Sequence, residues 1–454
     1  MSESFFLRLF SIFTLAFLIS PTNHVQAASN ANEKVPDVDS LRPYVVPIQS
    51  IAFEEDDFSD LSPLIEKIGD ARIVVLGEAT HSEGTTSQAK ARLIKFLHQK
   101  MGFDVLAWET GFVQCYGMNE MLRTEKIPLE EAKTYLMSGG WASEKAIHPL
   151  FEYARSTWIS SKPLEMCGFD TGRPHKAASY FKKFLSDFVS RTPDITISEE
   201  EWILIDKLTS RGYGFFSRER PDDEERTQQR AVLKNIADKI RIEYPALLNY
   251  YSPKELVLIQ QFINDALISE HIKYVLQTEG PKKWNYLRDR EMAKSFLWIL
   301  DNLFPERKVI IWAATAHLIR NADEIESEEG KAYYPVAYHM GQHLYARLGN
   351  QMYTIAVTAY KGEYGEIFPE GSKFESAIED FEPAPENSFE AVAHKMGLPY
   401  SFTDLRSAPA DHWLKDSFVS VALGRIKNKA HWANIFDAFF FIDTAEPISY
   451  LPRK

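Results

Sequence analysis

The sequence predicts an α/β fold: a central, largely parallel sheet covered by helices, with a helical insertion. Three observations carry this expectation. From about Val45 short β-rich runs alternate with longer helical periods, which is the pattern of strands joined by crossover helices. Several of the runs are almost wholly apolar, as strands covered on both faces should be. Between about Arg173 and Leu303 the period is helical and heavily charged, with no convincing strand.

In chain order, residues 1–28 come first. A short n-region carrying Arg8 is followed by an apolar run from Leu9 to Ile19 and by the small residues Val25-Gln26-Ala27-Ala28. That is the layout of a cleavable signal peptide, with cleavage expected after Ala27. The run is shorter than the roughly 20 residues that span a bilayer, so no stable membrane anchor is expected after cleavage, and the mature chain is expected in the periplasm or outside the cell. Strands are expected at Arg72 to Gly77, Asp104 to Glu109, Leu164 to Phe169, Lys308 to Ala314, Met352 to Thr358 and Ala438 to Ile442. Helices are expected at Gln88 to Met101, Val113 to Arg123 and Glu144 to Ser160. Within the insertion they are expected at Glu224 to Tyr244, Pro253 to Gln277 and Arg288 to Leu303. Inserted helices of this kind either roof a cleft or complete a packing layer.

Composition narrows the function classes. The 454 residues are 45% hydrophobic and 25% charged, which excludes a disordered or collagen-like chain. The net charge of -13 would repel a phosphate backbone, so no nucleic-acid partner is expected. Cys115 and Cys167 are the two cysteines, and the sequence leaves open whether they are bridged.

Candidate chemistry lies where charged residues end apolar strands, because ligands of open α/β sheets bind outside the carboxyl ends of the strands. The first run, Ile73 to Gly77, leads into Glu78-Ala79-Thr80-His81; the second ends in Glu109, the third in Asp170, and the fourth runs on to His317. A carboxylate three residues from an imidazole can hold one ring tautomer and make the other nitrogen a base. The same G-E-x-x-H also suits a loop in which Glu78 caps backbone N–H groups. Lys90 and Arg92 would bring positive charge to this edge, although a regular helix cannot present both to one cleft, and at least one is expected as a snorkelling surface cation. Arg288 and Asp289, expected to begin a helix, would either pair with each other or line the site.

Familiar signatures are missing: no G-x-S-x-G elbow, phosphate loop, C-x-x-C or H-E-x-x-H occurs, and Gly212-Tyr213-Gly214 follows no expected strand. His339 and His343 have metal-ligand spacing, but Gly341 between them weakens the helix and no third ligand is identifiable, so no metal is assigned.

The ordered segments resemble the erythromycin esterase family, hydrolases that open a macrolide lactone and are described as needing no metal. The resemblance rests on Leu76-Gly77-Glu78-Ala79-Thr80-His81, Leu93 to Leu97 with Met101-Gly102-Phe103, Trp108-Glu109, Gly168-Phe169-Asp170, Arg288-Asp289 with Met292, Trp312-Ala313 with Ala316-His317, and Met340-Gly341 with Leu344. It implies one domain over residues 43–450, a small-molecule ester or lactone substrate and no cofactor. It implies His81 as catalytic base, Glu78 and Glu109 as its carboxylate partners, and His317 as the second histidine of the family's W-A-H-N-A-H segment. Lys90, Arg92, Asp170, Arg288 and Asp289 are then the candidate substrate-binding residues. Two departures stand out. Ala314 and Thr315 replace the family's first histidine and its asparagine, and Lys90 falls where the family usually has an arginine, keeping the charge without the bidentate fork. His339 or His343 is the candidate substitute for the missing imidazole. Activity on macrolides does not follow from the resemblance, because the insertion carries few of the matching residues.

Overall fold

The computed structural model describes residues 37–124, 128–133, 140–171, 177–212, 220, 222–335, 339–365 and 378–451. The expected signal peptide lies outside the described residues, as do the expected start of the insertion at Arg173 and Tyr213-Gly214.

Eleven strands are described: β1 (Val45–Ile48), β2 (Ile73–Glu78), β3 (Val105–Gly111), β4 (Glu165–Asp170), β5 (Val309–Ala314), β6 (Met352–Gly365), β7 (Ile378–Phe381), β8 (Tyr400–Asp404), β9 (Phe418–Ser420), β10 (Asn428–Ala430) and β11 (Ala438–Ala445). Nine form one sheet in the order β1-β8-β11-β6-β2-β5-β3-β4, with β7 paired to β6. The run β11-β6-β2-β5-β3-β4 is parallel throughout, and these are the six strands expected from the apolar runs. The sequence pattern missed β1, β7 and β8, which join antiparallel and have four, four and five residues, too few to show a period. Pro47 is tolerated in β1 because that strand pairs only with β8 at the sheet margin.

Each parallel strand feeds two cores. Ile73 and Val75 of β2 join one apolar cluster with Val105, Ala107 and Phe169, while Val74 and Leu76 join a second with Leu106, Trp108 and Trp312. The strand period of two is therefore written into two helix layers. The second layer is built on the helix Gly84–Met101, which stops at Gly102 in the left-handed region (φ 74°). The first contains the helices Ala177–Ser190, Glu199–Gly212, Asp223–Ile242, Pro253–Thr278 and Pro281–Asn302, all between β4 and β5. Among the described residues no helix is long and apolar enough to cross a membrane.

Two helix boundaries differ from expectation for the same reason. Proline opens a helix readily, since it lacks the N–H that the first turn leaves unpaired and its φ is already helical. The helix expected from Arg288 starts at Pro281, so Arg288 and Asp289 lie two turns inside it. The helix expected from Glu144 begins only at His148, with Pro149 in its first turn, and Glu144 is left in the connection after the short turn Gly140–Ser143. Cys115 and Cys167 are buried free thiols.

Candidate active site

The carboxyl ends of β2, β3, β4 and β5 converge. Glu78 ends β2 opposite Ala314, which ends β5, and a 3-10 turn, Thr315–Leu318, then presents His317. Between β3 and β4 the register slips: Trp108 faces Gly168, yet Gly111 faces Asp170, so β3 carries one extra residue around Glu109 and Thr110. A bulge of this kind re-aims a side chain, here Glu109. It also presses the carbonyls of Thr110 and Gly111 against Gly168, where a Cβ would collide with both. On β2, a Cβ at Gly77 would lie 2.6 Å from Thr315 Cγ2, so that glycine lets the His317 turn close over the strand.

Two imidazole–carboxylate pairs face each other across this edge. His81 Nδ1 lies 2.7 Å from Glu78 Oε1, and His317 Nδ1 lies 2.7 Å from Asp289 Oδ1. Asp289 is fixed in turn by the backbone N–H of Met340, which donates to its Oδ2 at 3.0 Å. The Nε2 atoms of both rings approach one acceptor, Glu109 Oε1, at 3.9 Å from His81 and 3.4 Å from His317. Arg288 locks that acceptor: it donates to Glu109 Oε1 at 2.8 Å, to Asp170 through two bonds of 2.9 and 2.7 Å, and approaches His317 Nε2 at 3.1 Å. The second Glu109 oxygen accepts from the backbone N–H of Ala314 at 2.9 Å. Both imidazoles reach solvent, at 18% and 16% side-chain exposure, whereas Glu78, Glu109, Asp170, Asp289 and Arg288 are buried.

Electrostatics follow from this packing. Burial would lower the His317 pKa, but Asp289 and Glu109 outweigh it and push the ring up to about 10, so it is an imidazolium at neutral pH. Burial would raise Glu109, and His317, His81 and Arg288 instead hold it well below the usual carboxylate range. Burial pushes Lys90 well down, against the pull of Glu109 and Glu144. Its ammonium contacts Glu78 Oε2 and sits 4.1 Å from the Trp312 ring centre.

Glu78, His81, Glu109, Asp170, Arg288, Asp289, His317 and Lys90 are thus brought together. Arg92 is not. Its guanidinium is held by Asp60 through bonds of 3.0 and 2.8 Å and by the carbonyls of Ser50 and Asp57, which corrects its reading as a substrate-binding residue. Neither Lys90 nor Arg92 is a surface cation, for both are buried and each has its own carboxylate. Arg288 and Asp289 do not pair with each other; one binds Asp170 and Glu109, the other His317. His339 does not replace the missing imidazole, because it sits at the residue before the helix Met340–Leu348 with its Nδ1 turned to the Ala316 carbonyl at 2.9 Å. Thr315 has taken a structural role, its hydroxyl lying within hydrogen-bond distance of two carbonyls, Ala422 at 2.9 Å and Glu78 at 3.1 Å. Sequence reasoning missed Trp141, whose ring meets His81 edge-on at 4.9 Å, and Glu144, fully buried and pushed by burial up to about 8. Neither carries a sequence signal, since Trp141 and Glu144 stand singly among small and polar residues before Pro149.

Ligand atoms of Glu78, His81 and Glu109 lie within 4.8 Å of one another, the spacing of a loose metal cluster. The donor set fits poorly, because Lys90 and Arg288 already supply the positive charge that a cation would bring to these two carboxylates. Among the described residues His339 and His343 belong to no such cluster.

A family model described as erythromycin esterase matches residues 98–445. The protein YbfO of Bacillus subtilis (strain 168) is 24% identical over 414 residues, covering 86% of this chain and 87% of its own. Erythromycin esterase type II of Escherichia coli is 23% identical over 412 residues, covering 86% of this chain and 93% of its own. The fold is similar to that of a mutant erythromycin esterase EreC in its open conformation, with a TM-score of 0.65 and 16% identity over 88% of this chain and 98% of that one.

Proposed function

The chain belongs to the erythromycin esterase family, and from that premise we propose that it is an exported hydrolase that cleaves an ester or lactone bond by general-base activation of water. The observation that carries the reading is the approach of both Nε2 atoms to Glu109 Oε1, with each opposite ring nitrogen tied to its own carboxylate. When His81 is neutral, Glu78 accepts its Nδ1–H, and Nε2 is then unprotonated and able to take a proton from water. Atoms 3.9 Å apart are close enough for one water to touch both His81 Nε2 and Glu109. The water oxygen adds to the ester carbonyl carbon, the His317 imidazolium offsets the developing oxyanion, and the C–O bond to the leaving alkoxide breaks as His81 returns to that oxygen the proton it took from water. Arg288 keeps Glu109 ionised and fixed. In this reading Lys90 acts on Glu78 rather than on the substrate, a different role from the substrate contact that the resemblance implies for it.

Incubating the mature protein with macrolides and simple esters, with and without chelator, tests the reading directly. A product heavier by one water, formed equally with chelator, is expected; loss of turnover with chelator would transfer the role to a metal. Saturable ligand binding without turnover would point instead to a binding protein, a reading favoured by the alanine at 314. Export is supported by the N-terminal layout, and mature protein starting at Ala28 in the periplasm or medium is the expected result.

A further inference from the structure

Beyond β11 the chain runs on across the carboxyl edge of the sheet. The last pair that β11 makes with β6 is Ala445 with Gly362, and Pro447, two residues on, has no N–H with which to continue the ladder. Residues 446–451 bind two connections that lie far apart in sequence. One follows β2 and carries His81; the other lies between β3 and β4 and carries Trp141. At the His81 end the Glu446 N–H donates to the Thr85 hydroxyl at 2.8 Å. The Gly84 N–H donates to the Glu446 carbonyl, and the Ile448 N–H donates to the Ser82 carbonyl, both at 2.9 Å. At the Trp141 end the Lys145 N–H donates to the Ser449 carbonyl, and the Leu451 N–H donates to the Ser143 carbonyl, both at 2.8 Å. Antiparallel bridges pair Pro447 with Glu83 and Tyr450 with Glu144.

Two packing features keep this run in place. Ile448 is buried in the second core, beside Leu76 and Trp141 of the same cluster. A Cβ at Gly84 would lie 2.7 Å from the Pro447 carbonyl oxygen, so the run rests directly on the loop that follows His81.

The Trp141 segment needs such support. The helix Gly140–Ser143 is a single turn, and one turn does not repay the entropy of its own nucleation. Trp141 is nevertheless buried and stands edge-on to the His81 ring, with centroids 4.9 Å apart and planes at 88°. Glu78 fixes the imidazole at Nδ1, and a bond to one atom leaves the plane of the ring to be set by what packs against it. We propose that residues 446–451 are a positioning strap: by binding both connections they hold Trp141 against His81, and so keep Nδ1 at Glu78 with Nε2 toward Glu109.

The test follows the His81 ring signals by NMR in histidine-labelled protein, the resonance being the one lost in His81→Ala, together with kcat and KM. Only the kinetic half rests on the proposed hydrolysis. Leu451→Pro removes the N–H that reaches Ser143, whereas Leu451→Ala keeps it. Leu451→Pro is expected to move the His81 signals toward the positions they take in Trp141→Leu, and the double variant to move them no further. Leu451→Ala is expected to leave them in place. With the ring less well held, kcat should fall by about 10- to 100-fold and KM should change less. Should Leu451→Pro fold poorly, Thr85→Val loosens the strap from its other end and is expected to shift the signals in the same direction.

Signals unmoved in Leu451→Pro while Tm falls would mark a merely structural segment and overturn the proposal. So would an equal shift in Leu451→Ala, which would assign the effect to the side chain, or a shift from Leu451→Pro that adds in full to that of Trp141→Leu. A moved ring with unchanged kcat would also overturn it. Shifted signals in a protein whose wild type turns over no ester would remove the hydrolase reading and leave the strap in place.

Discussion

His81 and Glu78 were legible as a pair in the sequence because their partnership is local, three residues apart on one strand-to-helix loop, and the structure puts them 2.7 Å apart. Replacing His81 by alanine removes the base while Lys90 still faces Glu78 and Arg288 still holds Glu109, so turnover on any accepted ester is expected to fall by about 10² to 10⁴ with the protein still folded; unchanged hydrolysis would end the mechanism. Asp289 and His317 were not legible as a pair, since 28 residues and a strand separate them and a contact of that kind leaves no periodic trace. Their coupling has a measurable sign. The His317 pKa rises from an ordinary 6.5 to about 10 on folding, so its stabilisation is complete below pH 6.5 and is lost as pH climbs through 10. The stability deficit of Asp289→Asn relative to wild type, read by urea unfolding, is therefore expected to be largest near pH 6.5 and to shrink toward pH 10. A deficit that stays constant over that window would mean that the aspartate acts through Met340 alone, whose N–H it also accepts.

At the level of the element, six parallel strands could be read from apolar runs, yet the feature that aims Glu109 could not, because a bulge is one residue of slippage between strands far apart in sequence. The structural sign of it is Gly168, whose missing side chain makes room for the Thr110 and Gly111 carbonyls. Those atoms are backbone and cannot rotate away. Gly168→Ala is accordingly expected to destabilise the protein by about 1 to 3 kcal/mol through overpacking and to lower kcat more than KM, since the two strands pushed apart carry Glu109 and Asp170. Chemical denaturation with parallel kinetics checks both halves; an alanine variant with wild-type kcat would show that the bulge does not position the acid. The charged helices were harder to read for a related reason. Lys90 and Arg92 look like surface residues by composition, but the helix Gly84–Met101 is buried on most of its circumference, and each cation is matched by an acid from another segment, Glu78 or Asp60.

For the molecule as a whole, the two faces of the sheet contribute opposite halves of the site. Lys90 and Trp141 come from the layer packed on Val74 and Leu76, whereas Arg288 and Asp289 come from the helices between β4 and β5. Those helices were legible as an insertion, but not as part of the same core. Phe188, Leu208 and Phe262 join one continuous apolar cluster with Ala107 and Phe169 of the sheet and with Phe112, which opens the helix after β3. Phe262 alone meets the rings of Phe112, Tyr116, Tyr180 and Phe184, at 5.4, 5.3, 6.4 and 4.5 Å. An insertion sharing its core with the sheet unfolds with it, so calorimetry is expected to give a single transition whose calorimetric and van't Hoff enthalpies agree. Phe262→Ala, far from any reacting atom, should cost about 3 to 5 kcal/mol and depress that one transition as a unit. Near the lowered midpoint kcat should fall in parallel, because Arg288 and Asp289 ride on the adjoining helix. Two separated transitions, with activity lost in the first, would instead make the helices an independent lid whose docking assembles the site.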